Sequence, residues 1–535
     1  MRIKILTAFI FCFQISAFPQ DNIDVAHYKF NIGLNDVNDT IYGVAEIKVK
    51  FTKTDTVVAF DLTNLDQKGK GMIVSDAKFV LHNMPEIKFR QTKEKILVRS
   101  VMAHEKGDSA TILISYKGIP ADGLIISKTK YGQRSFFADN WPNRGHNWIP
   151  CHDDPADKAT VEFIITAPEH YQVVANGVQI EETSLSNSFK LTHWKEDTPI
   201  STKVMVIGVA AFAVNLTGYV NDCIPVYSWV YPEDKAKGVY DFSVTKDILS
   251  FFIKQVGPYA YKKLANVQSK TRFGGLENAN TIFYAEGNIT GDRSKEELYA
   301  HEIAHQWFGN MATEKNFGHL WLSEGFATFF ATYYMEEKFG KEKGLIMRLE
   351  DREQVIEYNS RNNLKTVIDT TVTDFMKMLN PYSYQKGSWV LHMLRFQLGD
   401  SIFFKAIRKY YATYAGGIAG TDDLRKIFET VSGKDLKQFF NQWLYSPGLP
   451  YLKIAWKYNT GTKQISIEIA QQQKNVFNFP LTVAIKMPSG KIVKQMLQIN
   501  KQVSSFSFPL NEKPIEIKAD PDAELLFNGY IEPAK

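Results

Sequence analysis

Leu298-Tyr299-Ala300-His301-Glu302-Ile303-Ala304-His305-Gln306-Trp307-Phe308-Gly309 places two histidines four positions apart, with a glutamate directly after the first. On a helix, residues i and i+4 share a face, so both imidazoles can reach one ion. Glu302 projects at an angle from that face and can address a water on the same ion. Leu298, Ala304, Trp307 and Phe308 form an apolar stripe that supports the helix. Catalytic zinc usually has three protein ligands and one open position. Glu324 is the third candidate, in Trp321-Leu322-Ser323-Glu324-Gly325-Phe326-Ala327 at the start of the next predicted helix. Alone, it reads more readily as a first-turn carboxylate favouring the helix dipole; beside the histidine pair it reads as a ligand.

Outward from this stretch the texture changes twice. From about residue 25 to 220 the pattern has period two: Tyr28, Phe30, Ile32 and Leu34 alternate with polar neighbours, as do Ile47, Val49 and Phe51, and Val204–Val214 is β-rich. This predicts an antiparallel β domain with one solvated face. Helical spacing follows in Tyr240–Gln255, Asp292–Gly309, Glu324–Phe339 and Ser383–Leu398. Past Gly448 and Pro450 alternation returns, at Ile465, Ile467 and Ile469, at Val483 and Ile485, and at Ile515 and Ile517, predicting a closing β-sandwich.

The expectation is a multidomain α+β chain: a signal peptide over 1–19, an N-terminal antiparallel β domain over 20–222, a mainly helical catalytic domain over 223–448 and a β-sandwich over 449–535. Arg2 and Lys4 precede an apolar run over Ile5–Ile15, with Ser16 and Ala17 behind it, which resembles a Sec signal peptide. The protein is expected to be exported, to the periplasm or the medium. No other run of about 18 apolar residues exists, so no integral membrane segment is expected in the mature chain.

A net charge of +5 over 535 residues, with Lys and Arg spread along the chain, gives little support to nucleic-acid binding. Of three cysteines, Cys12 would leave with the signal. Cys151 and Cys223 remain, which excludes a disulfide framework and a thiolate zinc knot.

Four motifs now carry a family resemblance. His-Glu-x-x-His, eighteen residues and then Glu resembles the gluzincin peptidases. His305-Gln306-Trp307-Phe308-Gly309-Asn310 and Trp-Leu-x-Glu-Gly-Phe-Ala resemble the M1 family of zinc aminopeptidases. Gly274-Gly275-Leu276-Glu277-Asn278 is similar to that family's Gly-Ala-Met-Glu-Asn exopeptidase motif, and Tyr384-Gln385-Lys386-Gly387 to its Tyr-x-Lys-Gly motif. Trp148-Ile149-Pro150-Cys151-His152-Asp153-Asp154-Pro155 resembles a signature of its N-terminal β domain.

The resemblance implies a thermolysin-like catalytic domain holding one Zn²⁺ per chain on His301, His305 and Glu324. It implies Glu302 as general base and Tyr384 as donor to the oxyanion. Glu277 would bind the free α-ammonium of a peptide substrate, with Gly274, Gly275, Leu276 and Asn278 around it. The family often has a Gln of its N-terminal domain lining the first side-chain pocket. Asp139, in Ala138-Asp139-Asn140-Trp141-Pro142, aligns there and would favour Lys or Arg at the substrate's terminus; its other reading is an exposed loop carboxylate. Many members carry a further helical domain that roofs the site; this sequence ends after the sandwich, so the expectation is a three-domain form whose cleft is either more open or covered by another subunit. Two other readings compete: a gluzincin endopeptidase, against which the Gly-x-x-Glu-Asn segment argues, and a binding protein that has lost catalysis, against which the complete ligand and base set argues.

Overall fold

The computed structural model describes residues 22–80 and 89–532; the signal-peptide reading falls outside them. A seven-stranded sheet forms the first layer. Its order is Val178–Ser184, Phe189–Ser201, Lys158–Pro168, Ile23–Gly33, Ile41–Phe51, Ser109–Ile119 and Gly71–Phe79. The alternation seen in the sequence is the burial pattern: Tyr28, Phe30, Ile32 and Leu34 are buried. A register shift between Val25 and His27 explains why Val25, of opposite parity, is buried too, because an extra residue turns the strand's faces over. The sheet is not wholly antiparallel. Ile23–Gly33 pairs in parallel with Lys158–Pro168, a long-range pairing that alternation cannot reveal.

The mainly helical catalytic region contains a five-stranded sheet that helical spacing gave no sign of, in the order Ala213–Val220, Ile224–Val230, Leu264–Ser269, Thr281–Ala285 and Gly275–Leu276. Ala213–Val220 pairs antiparallel with Ile224–Val230, so a boundary at 222/223 falls inside a hairpin. The four predicted helical segments appear with shifted ends: the first starts earlier and is split into Lys235–Phe242 and Thr245–Gln255, the third starts earlier as Trp321–Phe339, and the other two are shortened to Glu296–Ala304 and Gly387–Leu398. The helix Trp321–Phe339 is buried on nearly every face down to Met335, which makes it the axis of this region.

After it, two sheets of four and three strands bury Ile465, Ile467 and Ile469, and Leu481, Val483 and Ile485. Arg352 donates to Asp520 and to the Leu525 carbonyl, tying these sheets to the helices. Cys151 is buried and Cys223 exposed, and both are free. Among the described residues no helix is long and apolar enough to cross a membrane.

Candidate active site

The histidine helix, Glu296–Ala304, starts from a fastened loop. Asp241, fully buried, accepts from the backbone N–H groups of Thr290, Gly291 and Arg293 at 2.8, 2.8 and 2.9 Å. Glu296 and Glu297 occupy its first turn, where carboxylates suit the helix dipole. At its other end, His301 Nε2 and His305 Nε2 are 3.2 Å apart. Glu324 Oε2, from the first turn of the axial helix, lies 3.4 Å from the first and 3.2 Å from the second. Three ligands about 2.1 Å from one tetrahedral ion stand about 3.4 Å apart, so this triangle fits a metal. His305 Nδ1 lies 3.1 Å from both the Phe308 carbonyl and Ser323 Oγ. That outer bond turns its Nε2 toward the triangle.

Charge points the same way. Burial pushes the Glu302 carboxyl well up, and Glu277 and Glu324 push it further. Burial also raises Glu277, with Glu324 adding to it. Burial opposes the charge on Glu324, yet the two imidazoles hold its carboxyl below the ordinary range. Burial would lower His305, but Glu324, and then Glu277 and Glu302, lift it to about 9; His301 is lowered by its own burial. Three buried carboxylates thus converge on two imidazoles, and the cluster calls for a cation.

Glu277 sits at the end of the strand Gly275–Leu276, and its placement explains part of the histidine motif. Gln306 Nε2 and Asn310 Nδ2 both donate to the Glu277 carbonyl, at 3.0 and 2.6 Å. These two residues of the His-Gln-Trp-Phe-Gly-Asn run fasten the strand to the helix. Asn288, unremarkable in sequence, donates to the Gly274 carbonyl at 2.7 Å. Gly275 is required by close approach, since a Cβ there would run into the Glu302 carboxylate. Glu277 Oε1 is buried with no hydrogen-bond partner.

Tyr384 lies in a π-helical turn, Tyr382–Lys386, ahead of the helix Gly387–Leu398. Its ring stacks near His301, centroids 6.0 Å apart. Burial pushes its hydroxyl well above the ordinary range, with the three carboxylates adding to the shift, so it stays a proton donor. The glycines of two motifs meet here: a Cβ on Gly325 would lie 2.8 Å from Gly387 Cα. This close contact helps the turn carrying Tyr384 to approach the helix carrying Glu324.

These side chains line one cleft of about 500 Å³. Its lining also includes Lys295 and Leu298, Thr328 and Ala331 of the axial helix, and Trp141, Phe273 and Leu379. Residues 25–204 match the model of the peptidase M1 N-terminal domain, and residues 240–443 that of the peptidase family M1 domain. The chain belongs to peptidase family M1. It is 30% identical to a glutamyl aminopeptidase of Bitis rhinoceros over 63% of this chain and 38% of that one. It is 24% identical to a leucyl aminopeptidase of Saccharolobus solfataricus over 82% of this chain and 56% of that one. The chain therefore spans well under two thirds of the length of these relatives. In fold it is similar to Legionella pneumophila aminopeptidase A, crystallised in complex with aspartic acid, at TM-score 0.81 and 18% identity, covering 97% of this chain and 61% of that one.

Within this M1 chain the structure brings His301, His305, Glu324, Glu302, Glu277, Tyr384, Gly274, Gly275 and Leu276 to the cleft. Asn278 is fully buried, and neither of its side-chain polar atoms has a partner; it is not among the residues lining the cleft. Asp139 needs correction. It is neither an exposed loop carboxylate nor part of the cleft wall. It is fully buried, ion-paired with Arg144, and accepts from the Arg272 backbone N–H at 3.1 Å. The neighbouring Trp141 takes the place on the wall. Nothing local in the sequence distinguishes an acid facing a cleft from one facing an arginine. Leu298, Thr328, Ala331, Phe273 and Leu379 were also missed, since apolar cleft residues look like core in sequence.

Proposed function

We propose that this chain is a zinc-dependent aminopeptidase, cleaving the first peptide bond of substrates with a free N-terminus. The observation that carries the reading is Glu277, whose buried Oε1 is left without a partner beside the His301, His305 and Glu324 cluster. A buried carboxylate with an open oxygen is suited to an α-ammonium. Two imidazoles and one carboxylate suit zinc. A zinc ion held there supplies Lewis acidity, lowering the pKa of water toward ~7 and polarising the scissile carbonyl.

The chain's own residues do the rest. Glu277 holds the ammonium and sets the register, so that one residue lies beyond the reacting bond. Glu302 takes the proton of the attacking water and returns it to the leaving amine. Tyr384 donates its hydroxyl hydrogen to the oxyanion that forms on the substrate carbonyl. Glu277, Glu302 and Glu324 are buried, which strengthens their electrostatic interactions. The two C-terminal sheets are read as a sandwich tied to the helices Lys341–Asn362 and Gly387–Leu398 through Arg352 and His392. Export rests on the Arg2 to Ala17 pattern alone, and N-terminal sequencing of mature protein recovered from the host tests it.

The two relatives are named for different terminal residues, so their names leave the preferred one open. The test of the activity pairs free and N-acetylated forms of one ten-residue peptide, with zinc analysis and a chelator arm. A ladder of products shortened one residue at a time, about one zinc per chain and loss of turnover on chelation are expected. Internal fragments from the blocked peptide would instead make the chain an endopeptidase.

A further inference from the structure

No hydrogen bond holds Glu277 Oε1, so the reach of this carboxylate depends on how its main chain is fastened. One fastening is Gln306, whose Nε2 donates to the Glu277 carbonyl. That amide works in one orientation only, and Asn280 selects it. The Asn280 backbone N–H donates to Gln306 Oε1 at 2.7 Å. A flipped amide would set its NH₂ against that N–H and its oxygen against the Glu277 carbonyl.

Asn280 is in turn held from the N-terminal domain. It is fully buried, with φ at 52°, a left-handed conformation that glycine and asparagine adopt most readily. Glycine would suffice for the turn, so the side chain serves a further end. Its Oδ1 accepts from the Gly177 backbone N–H at 2.8 Å and from Lys263 Nζ at 2.6 Å. Its Nδ2 donates to Glu196 Oε2 at 2.6 Å. Gly177 and Glu196 belong to the N-terminal domain, and Lys263 to the catalytic region. Two donors on one side and a carboxylate on the other fix the orientation of this amide as well. An aspartate would set an oxygen against Glu196, and a glycine would leave Glu196 Oε2 and the Gly177 N–H without this partner.

Resting on the aminopeptidase reading, we propose that Asn280 is a positioning residue for Glu277, through which the docked N-terminal domain sets the register between the ammonium-binding carboxylate and the histidine helix. The path runs from Glu196 and Gly177 through the Asn280 side chain to its backbone N–H, then to Gln306 and the Glu277 carbonyl. Asn310 donates to the same carbonyl, so loss of the Asn280 side chain displaces Glu277 rather than freeing it. A misplacement of about 1 Å can cost about a hundredfold where geometry is exacting.

The test is calorimetric binding of leucine hydroxamate and N-acetyl-leucine hydroxamate to the zinc-loaded full chain, with zinc content measured for every variant. The parent should bind the free amine more tightly by about ten- to a hundredfold, as a charge-assisted bond provides. Asn280→Gly keeps the left-handed turn and removes the side-chain bonds. It should weaken the free-amine ligand by about tenfold or more and leave the acetylated one within about twofold. With peptides, KM should rise more than kcat falls, because the ammonium is gripped before the transition state as well as in it. A purely structural lesion would lower the number of competent sites and leave both dissociation constants where they were. Asn280→Asp combined with Glu196→Gln reverses one hydrogen bond: the introduced glutamine donates to the introduced carboxylate, which still accepts from Gly177 and Lys263. This double variant should bring the free-amine constant back to within about threefold of the parent. Should Asn280→Gly not fold, Glu196→Gln alone disturbs the same amide from a residue outside the cleft lining. It should weaken the free-amine ligand by about threefold or more. Constants unmoved or weakened together in a folded variant, or no recovery in a folded double variant, overturn the inference and leave the aminopeptidase intact. A parent with no preference for the free amine overturns both.

Discussion

Two clusters of buried charge flank the loop that follows Glu277, and they are built on opposite plans. Toward the N-terminal domain, Lys203 and Glu314 form an ion pair with side-chain exposures of 1% and 0%. Beside it Lys158, pushed down to about 7 by burial and then by Lys203, still donates to the carbonyls of Asn310 and Met311 at 3.0 and 2.7 Å. Toward the cleft, Glu277, Glu302 and Glu324 face two imidazoles, and Glu277 keeps an open oxygen. The first cluster sets a lysine against its carboxylate, although Glu314 Oε2 too is buried without a hydrogen-bond partner; the second sets three carboxylates against two imidazoles, with room for a metal ion and an ammonium. Buried charge without a partner is costly, so a fold that retains it is holding it for something outside the chain. The difference separates residues that join domains from residues that do chemistry.

The comparison breaks hardest at Glu302. Glu302→Gln keeps the shape and removes the proton acceptor, so turnover should fall by ~10²–10⁴-fold with zinc content unchanged. Metal analysis beside steady-state kinetics checks this, and a few-fold effect would place the base elsewhere. Tyr384→Phe should lower kcat by about 10²–10³-fold with KM little changed, because the hydrogen bond it loses forms mainly in the transition state. A rise in KM alone would recast Tyr384 as a binding residue. Glu277→Ala should cut kcat/KM for free-amine peptides by about 10²-fold, for a charge-assisted bond of ~3 kcal/mol. It should also narrow the gap to acetylated peptides, and the ratio of the two rates measures that directly.

The open cluster was legible in sequence and the closed one was not, for a physical reason. His301, Glu302 and His305 are fixed relative to one another by helix geometry alone, and Glu324 by one short connection. Tyr384 and Glu277 are distant in sequence but carry motif neighbours whose job is local: Gly275 admits Glu302, and Gly387 meets Gly325. Lys203 and Glu314 have no such markers. Their pairing spans 111 positions and depends on how two domains dock. Asp139 failed for the same reason, since only tertiary structure says whether Arg144 or the cleft receives it. The parallel pairing of Ile23–Gly33 with Lys158–Pro168 was hidden likewise, as was the hairpin that carries the domain boundary.

The smallest expected effect on catalysis, and the sharpest test of the contrast, comes from the closed pair. Lys203→Met leaves Glu314 buried and uncompensated, next to Phe317 and with Lys158 as the nearest remaining cation. Breaking a buried pair from one side typically costs about 3–5 kcal/mol of stability. Replacing both, as Lys203→Met with Glu314→Leu, removes the charge rather than stranding it. The double variant should then recover most of that loss, to within about 1–2 kcal/mol of the parent. In the double variant Lys158 loses both charged neighbours, and burial then favours its neutral amine, which still donates to the two carbonyls. Urea unfolding of the parent, both singles and the double gives the coupling energy. Kinetics on the same four proteins gives the other half: the double variant should keep kcat/KM within a few-fold and keep its preference for a free N-terminus. The open cluster cannot be treated this way, because no apolar replacement of Glu277 restores the ammonium's partner. If the double variant were as unstable as the singles, the pair would be contributing by more than mutual neutralisation. If it folded normally but lost the distinction between free and acetylated peptides, Lys203 would be part of the site that reads the ammonium, and the division between the two clusters would fall.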